Sequence, residues 1–409
     1  MKLLVLGGGS SQIGIIKEAK ESGHTVYVSD YLADAPGKEE ADEAFSISTF
    51  DVAGCLQLAR HLAVDGIVTV GTDQPVYTVA KVAEELGLPS FISADTALAV
   101  TNKRIMKKVL REHDIVTPRF TFLAENFQDV DLAMLKCPLV IKPVDSQGQR
   151  GVYFLENSAE VRSYLPLTLS HSREKVVLLE EYYENGEITV SGWVEEGQTY
   201  LISITDRISF RSGASLGICN AHQFPSRFLD SHYEEINNTT QQVVKGFGIR
   251  NGPIYFQMLV GKEGVKVNEI SCRIGGAYED QLIPELTGIN ILRLVLDGAL
   301  GNKLDLSRVR EHDVLKNKLR GRVELVFANP GHVSKLADLA KVKALPGVLE
   351  AKFNVKAGQE LPKIVNATQR VGYMIVTGDE TTLEQRVEGA FQFYRLEDNQ
   401  GSNMIIRFT

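Results

Sequence analysis

The order of apolar and polar positions divides this chain into three textures. Over residues 1–100, short apolar runs alternate with amphipathic stretches. Leu3–Leu6 reads as a buried strand, followed by the turn Gly7-Gly8-Gly9-Ser10-Ser11 and a helix from about Gln12 to Glu21 that stops near Gly23. Thr25–Ser29 is a second strand, ending at Asp30. Further strands are expected at Gly66–Val70 and Ser90–Ile92, with the helical stretch Val76–Leu86 between them. Such alternation predicts an open parallel sheet covered by helices. From about Thr101 a basic helix, Arg104–Glu112, gives way to apolar strands at Arg119–Phe122, Pro138–Pro143, Val152–Leu155, Val176–Leu179 and Ile188–Val194. Residues 317–409 read as a separate α+β piece. Its strands are Arg322–Phe327 and Gln369–Val376, and Val333–Leu345 and Thr382–Tyr394 are mostly helical. The expected fold class is therefore α/β joined to α+β, in units of 1–100, 101–316 and 317–409.

The segment Ile254–Arg273 carries the first chemical signal. Two apolar-rich runs flank Lys262-Glu263-Gly264, which fits a three-residue hairpin loop with glycine in the left-handed position. That register sets Gln257 opposite Glu269, with Cβ atoms roughly 5 Å apart. Glu269, Ser271 and Arg273 alternate along the second strand and share the same face. Two oxygen ligands, a hydroxyl and a guanidinium on one patch suit Mg²⁺ and phosphate oxygens. The solvent side of a half-buried hairpin would show the same pattern.

Other segments add to this. Lys142 projects from the apolar strand Pro138–Pro143, where a lysine is costly unless it meets an anion. The polar loop after it, with Ser146, Gln147, Gly148 and Gly151, is rich in N–H groups that can fold over phosphates. The acids between Glu180 and Glu187 suit either a solvated turn or hydrogen bonds to a base and a ribose. The N-terminal glycine turn is half a dinucleotide fingerprint, because Gln12 stands where the third small residue belongs; a tight turn or an anion at the helix start remains open. Asp73 either caps the helix after it or contacts substrate. Arg207 is a candidate for a substrate carboxylate, His222 for an amine proton, and Gly275-Gly276 for close approach of substrate to the backbone.

Net charge is −8 with no sustained basic run, which excludes nucleic acid as an expected partner. The four cysteines are scattered and form no C-x-x-C pair, so neither a zinc cage nor a disulfide framework is expected. The apolar run Leu3–Leu6 is too short for a signal segment, and no stretch reaches the length of a membrane span. A cytoplasmic protein with no membrane partner is expected.

In chain order, Asn102-Lys103 at a helix start, Val140-Ile141-Lys142-Pro143 with its glycine loop, Glu180-Glu181-Tyr182-Tyr183 leading to Gly186-Glu187, and a hairpin ending Glu269…Arg273-x-Gly275-Gly276 together resemble the ATP-grasp superfamily. The likeness is to biotin carboxylase, the carbamoyl-phosphate synthetase large subunit, the purine-biosynthesis members and the L-amino-acid ligases. It covers nearly the whole chain. It implies a Rossmann-like preATP-grasp domain, an ATP-grasp domain with a mobile lid over about 120–190, and a C-terminal domain. It implies ATP and Mg²⁺, with Mn²⁺ able to substitute, small-molecule carboxylate and amine substrates, and often a homodimer. Lys103, Lys142 and the loop Ser146–Gly151 would hold the phosphates. Glu180 would mark the adenine hinge, with the backbone near Tyr182 and Tyr183 reading the base, and Glu187 would bind ribose. Gln257, Glu269 and Ser271 would be the metal ligands, with Arg273 on the transferred phosphate. Ser271 departs from the family's asparagine, and Gln257 from the more common glutamate. The expected activity is that of an ATP-dependent carboxylate–amine ligase acting through an acyl-phosphate. The alternatives are a phosphoribosylglycinamide synthetase-like or carboxylase-type enzyme, a nucleotide-binding protein without ligase activity, and a dehydrogenase, which Gln12 argues against.

Overall fold

The computed structural model describes residues 1–408. Its N-terminal sheet has four parallel strands in the spatial order Glu43–Phe45, Thr25–Ser29, Lys2–Leu6, Gly66–Val68. Leu3, Leu4, Val5 and Leu6 are all fully buried, because helices cover both faces of a parallel sheet and leave no reason for alternation. The strand expected at Ser90–Ile92 does not form. Instead Phe91 leaves the sheet and sets its ring edge-on to Trp193, centroids 5.5 Å apart. Glu43–Phe45, an outer strand with no fully buried residue, has no apolar block to announce it.

The central body is antiparallel. Gly264–Ser271, Gly252–Gly261, Gly186–Glu195, Gln198–Ser212 and Ser215–Phe224 lie side by side in that order. Beyond them, Tyr153–Leu155, Leu139–Pro143, Val177–Glu181 and Phe120–Leu123 form a smaller set, which joins the main sheet through the pair Ser215–Tyr153. This set has its own apolar cluster, in which Leu139, Ile141 and Leu179 pack with Val161 and Leu165 of the helix Glu160–Ser170.

The C-terminal piece does not stand apart as the sequence suggests. Its strand Arg320–Val326 pairs with Ser215–Phe224 on one side and Gly372–Gly378 on the other, so the sheet runs on without a break. Alternation then serves two cores. Val323, Leu325, Tyr373 and Ile375 face the central one, while Met374 and Val376 face a local one under the helix Leu383–Phe393. In Val333–Leu345 only Leu339–Lys343 is helical. The three-residue spacing of Val333, Leu336, Leu339, Val342 and Leu345 imitates a helix, but Lys335–Leu336 pairs with Leu396–Glu397 as a short strand.

The hairpin reaches the expected pairing by a different route. Gly261 pairs with Gly264 across a two-residue turn, not a three-residue loop, and a bulge at Asn268 then restores Gln257 opposite Glu269. A bulge re-aims side chains. Here it turns Asn268 toward the same cavity as its neighbour Glu269, whereas strict alternation would place them on opposite faces.

Candidate active site

Where the three textures meet there is a cavity of about 1020 Å³. The strands of the central sheet supply its floor, the loop after Lys142 its roof, and residues from both ends of the chain its rim. Lys103, Lys142, Ser146, Gln147 and Gly148 line it, as do Glu180, Tyr182, Tyr183 and Glu187. So do Arg207, His222, Gln257, Glu269, Arg273 and Gly276. Gly151, Ser271 and Gly275 do not.

On the lysine side, Asn102 caps the helix Lys103–Glu112, its Oδ1 accepting from the N–H groups of Arg104 (3.0 Å) and Ile105 (3.2 Å). That start places Lys103 Nζ 3.2 Å from Glu269 and 3.1 Å from the Ser146 carbonyl, to which it donates. One turn on, Lys107 is fully buried, with Nζ 2.5 Å from Glu180. Lys142 Nζ lies 2.6 Å from the other Glu180 oxygen and donates to Asn268 Oδ1 at 2.9 Å. Burial alone would raise the Glu180 pKa, but the two ammoniums outweigh it and hold the carboxyl at about 2. Burial draws Lys107 down. At Lys142, burial is outweighed by Glu180 and Glu269, so its ammonium is held up. Glu180 therefore marks the hinge strand by clamping two lysines. Residue type and spacing single out neither Lys107, on a helix rich in surface charge, nor Asn268, which alternation would set on the face opposite Glu269.

On the arginine side, Asp73 is the organiser. Arg273 donates to Asp73 Oδ1 from Nε (2.8 Å) and from Nη2 (2.7 Å), and Ser271 Oγ donates to the same oxygen at 2.6 Å. Burial opposes the Asp73 charge, yet Arg273 and Ser271 pull its pKa below the usual carboxylate range. Asp73 makes no side-chain cap to its helix. Ser271 thus spends its proton on Asp73, and as a metal ligand it would offer only an oxygen lone pair. The metal-ligand candidates that face the cavity are Gln257 and Glu269. Among the described residues no group of three or more His, Cys, Asp or Glu could hold an ion, so any Mg²⁺ would depend on one carboxylate, an amide and phosphate oxygens, a small protein share that suits this ion.

Other expectations change in detail. Arg207 donates to Glu187 and, at 2.9 Å, to the Gly217 carbonyl, so the proposed ribose acid and the proposed carboxylate clamp hold each other. The Tyr182 N–H donates to the Pro138 carbonyl at 2.8 Å and is not free for a base. The Tyr183 hydroxyl donates to the Gly264 carbonyl (2.8 Å) and accepts from the Glu263 N–H (2.9 Å), fastening the hinge to the hairpin turn. His222 is 2 % exposed and burial lowers its pKa well below 6.5, with Arg207 and Arg370 adding to the effect, so it is neutral. Gly275 and Gly276 make room for the protein itself: a Cβ on Gly276 would lie 2.3 Å from the Gly71 carbonyl oxygen, and one on Gly275 2.5 Å from the Tyr255 ring. The N-terminal turn closes on itself, with the Gly8 N–H donating to Asp30 at 2.8 Å and the Gln12 amide donating to Thr72 at 3.2 Å. That filling leaves no dinucleotide cradle. In the roof loop, Gln147 Oε1 accepts from the Asp73 N–H at 3.0 Å.

Two family models match this chain: residues 135–280 match the ATP-grasp domain, and residues 324–393 match the L-amino acid ligase C-terminal domain 2. Residues 135–280 of this chain form an ATP-grasp domain. An L-amino acid ligase from Bacillus licheniformis shares its fold with a TM-score of 0.81 and 20% identity, over 97% of this chain and 98% of that one. A phosphoribosylamine–glycine ligase from Caldanaerobacter subterraneus subsp. tengcongensis is 25% identical over 93% of each chain. Dapdiamide A synthase of Enterobacter agglomerans is 21% identical over 60% of this chain and 59% of its own length. The ATP-grasp match spans Lys142, Glu180, Glu269 and Arg273, whereas their partners Asp73, Lys103 and Lys107 precede it in the chain. No helix among the described residues is long and apolar enough to cross a membrane.

Proposed function

We propose that this protein joins a carboxylate to an amine at the expense of ATP, through an acyl-phosphate. A carboxylate oxygen attacks the γ-phosphorus and ADP leaves with the bridging oxygen. The amine nitrogen then attacks the acyl carbon, phosphate leaves, and the nitrogen loses a proton. Positioning and charge neutralisation do most of the work in such transfers. Lys103, Lys142 and Arg273 converge from three directions on one cavity, and this carries the reading. Lys103 and Lys142 would hold the triphosphate. Arg273, now parked on Asp73, would meet the transferred phosphoryl group. Gln257 and Glu269 would hold Mg²⁺, which when bound offsets charge on the phosphate oxygens. His222 is neutral, but burial and the charges of Arg207 and Arg370 disfavour its protonation and make it a weak acceptor for the amine proton. The small sheet over 120–181, with its own core and a single pair joining it to the main sheet, would act as the lid.

A second reading has a specific support: the phosphoribosylamine–glycine ligase relative favours a phosphoribosyl amine as the acceptor. The closed N-terminal turn, with Asp30 on its Gly8 N–H, speaks against a sugar phosphate bound there. The test is phosphate release from Mg-ATP with amino acids, singly and in pairs, and with ribose 5-phosphate plus ammonia and glycine. Release that needs two amino acids and disappears in Arg273→Ala supports the ligase of amino acids. Release that needs the phosphoribosyl mixture selects the second reading. ATP binding with no release under any of these conditions defeats both and favours a nucleotide-binding protein.

A further inference from the structure

Among the described residues, Arg150, Arg211, Arg227 and Arg370 all line the cavity without an ion pair, but of these only Arg370 also has a buried side-chain nitrogen with no hydrogen-bond partner. Arg207 is paired with Glu187 and Arg273 with Asp73. Arg370, just before the strand Gly372–Gly378, lines the same cavity, and among the described residues it makes no ion pair with a carboxylate. Its Nε is buried with no hydrogen-bond partner. Its neighbours on the wall are Arg207, Cys219, Tyr255 and Tyr278, none of them an anion at neutral pH. An arginine left unpaired in such a place is costly unless an anion arrives. Burial, and then repulsion from Arg207, lowers its pKa, as expected of a cation waiting for a partner.

We infer that Arg370 anchors the α-carboxylate of an amino-acid substrate, the anion that survives the reaction. This rests on the ligase reading. During ligation the donor's carboxylate becomes the amide, so the carboxylate that persists belongs to the amine-bearing partner. The planar fork of a guanidinium matches a carboxylate. Glu187 lines the same cavity and weighs against a dianionic phosphate.

The geometry also fixes how far this anchor sits from the reacting end. Tyr278 stacks on Tyr373, ring centroids 3.6 Å apart. Tyr278 follows closely after Arg273 in the chain, and Tyr373 follows closely after Arg370. Tyr278 holds a left-handed backbone, φ 61°, which an L-residue keeps only under constraint. The stack thus ties the loop after the phosphate arginine to the strand after the anchor. The substrate must span a set distance, so Arg370 selects for length as well as charge.

The test uses the full chain with Mg²⁺ and a non-hydrolysable ATP analogue, and reads thermal stabilisation by added amino acids, by their α-carboxamides and by ribose 5-phosphate. Free amino acids should stabilise the wild type and their carboxamides should not. Arg370→Met should weaken amino-acid binding roughly 10- to 100-fold, the loss expected for a charged hydrogen-bonded contact, and Arg370→Lys should fall between. The nucleotide's own stabilisation should persist in both variants, which shows that they fold. Equal stabilisation by acid and carboxamide, or an unchanged response in Arg370→Met, overturns the assignment. A response to ribose 5-phosphate that Arg370→Met removes also overturns it and makes the anchor a phosphate site. No response to any amino acid overturns it as well. If carboxylate-dependent binding is present but no pair of substrates releases phosphate, the ligase reading fails and the Arg370 assignment stands.

Discussion

Changing Glu180 to glutamine removes the one negative charge between two buried ammoniums. Glu180 is 2 % exposed, and Lys107 and Lys142 approach its two oxygens to 2.5 and 2.6 Å. Two routes give the size of the effect. The carboxyl is held at about 2 against an ordinary 4.5, and at about 1.4 kcal/mol per pH unit that displacement is about 3 kcal/mol. Breaking a buried ion pair by removing one partner costs about 3–5 kcal/mol. The sign is fixed by the direction. A carboxyl with a depressed folded-state pKa stabilises fully above 4.5, and the contribution is lost as pH falls from 4.5 toward 2. Glu180→Gln should therefore unfold about 3–5 kcal/mol more easily in urea at pH 7, and its stability should vary less than the wild type's between pH 4.5 and 2. The only tryptophan, Trp193, is 1 % exposed in the central sheet and reports the transition by fluorescence. Adding Lys107→Met to Glu180→Gln should recover part of the loss, because it removes one of the two ammoniums left facing each other. A loss under about 1 kcal/mol at pH 7, well below the cost of a broken buried pair, would show that the two lysines are not both charged against this carboxylate.

Three further outcomes follow from the same network. Asp73→Asn frees Arg273 and should lower the rate of phosphate release by roughly 100-fold, with a smaller change in the ATP requirement, since displacement of a catalytic group by an ångström has that scale; equal activity would remove Asp73 as the organiser. Ser271→Ala should leave the Mg²⁺ concentration for half-maximal release within about threefold of wild type, whereas Glu269→Gln should raise it by roughly 10- to 100-fold. A Mg²⁺ titration of the two variants separates them, and a large shift in Ser271→Ala would make the serine a ligand. Gly276→Ala places a methyl 2.3 Å from the Gly71 carbonyl oxygen, and overpacking of this kind costs about 1–3 kcal/mol. Its melting temperature should fall, and an unchanged value would mean that the loop yields freely.

Much of the fold was legible because apolar runs and glycine turns are local signals. The parallel start, the strand carrying Lys142, and the hairpin with Gln257 opposite Glu269 were all present in spacing alone. Even there the route differed, since two departures, a shorter turn and a bulge at Asn268, offset each other. The helical reading of Val333–Leu345 failed because a three-residue period does not say whether a neighbouring strand will capture the chain.

The sequence by itself determined which side chains were chemically eligible: Lys142, Glu269 and Arg273 stand out by residue type and spacing, and Lys103 and Glu180 by the family resemblance. Tertiary structure decided their partners. Asp73 meets Arg273 across two hundred residues of chain, Lys107 meets Glu180 inside the body, and Arg370 reaches the cavity from the far end without a carboxylate to meet it. The reason is physical. A residue's tendency to form a strand or helix is set by its neighbours in sequence, but the energy of a charge depends on what surrounds it after burial, and only the folded chain brings those surroundings together.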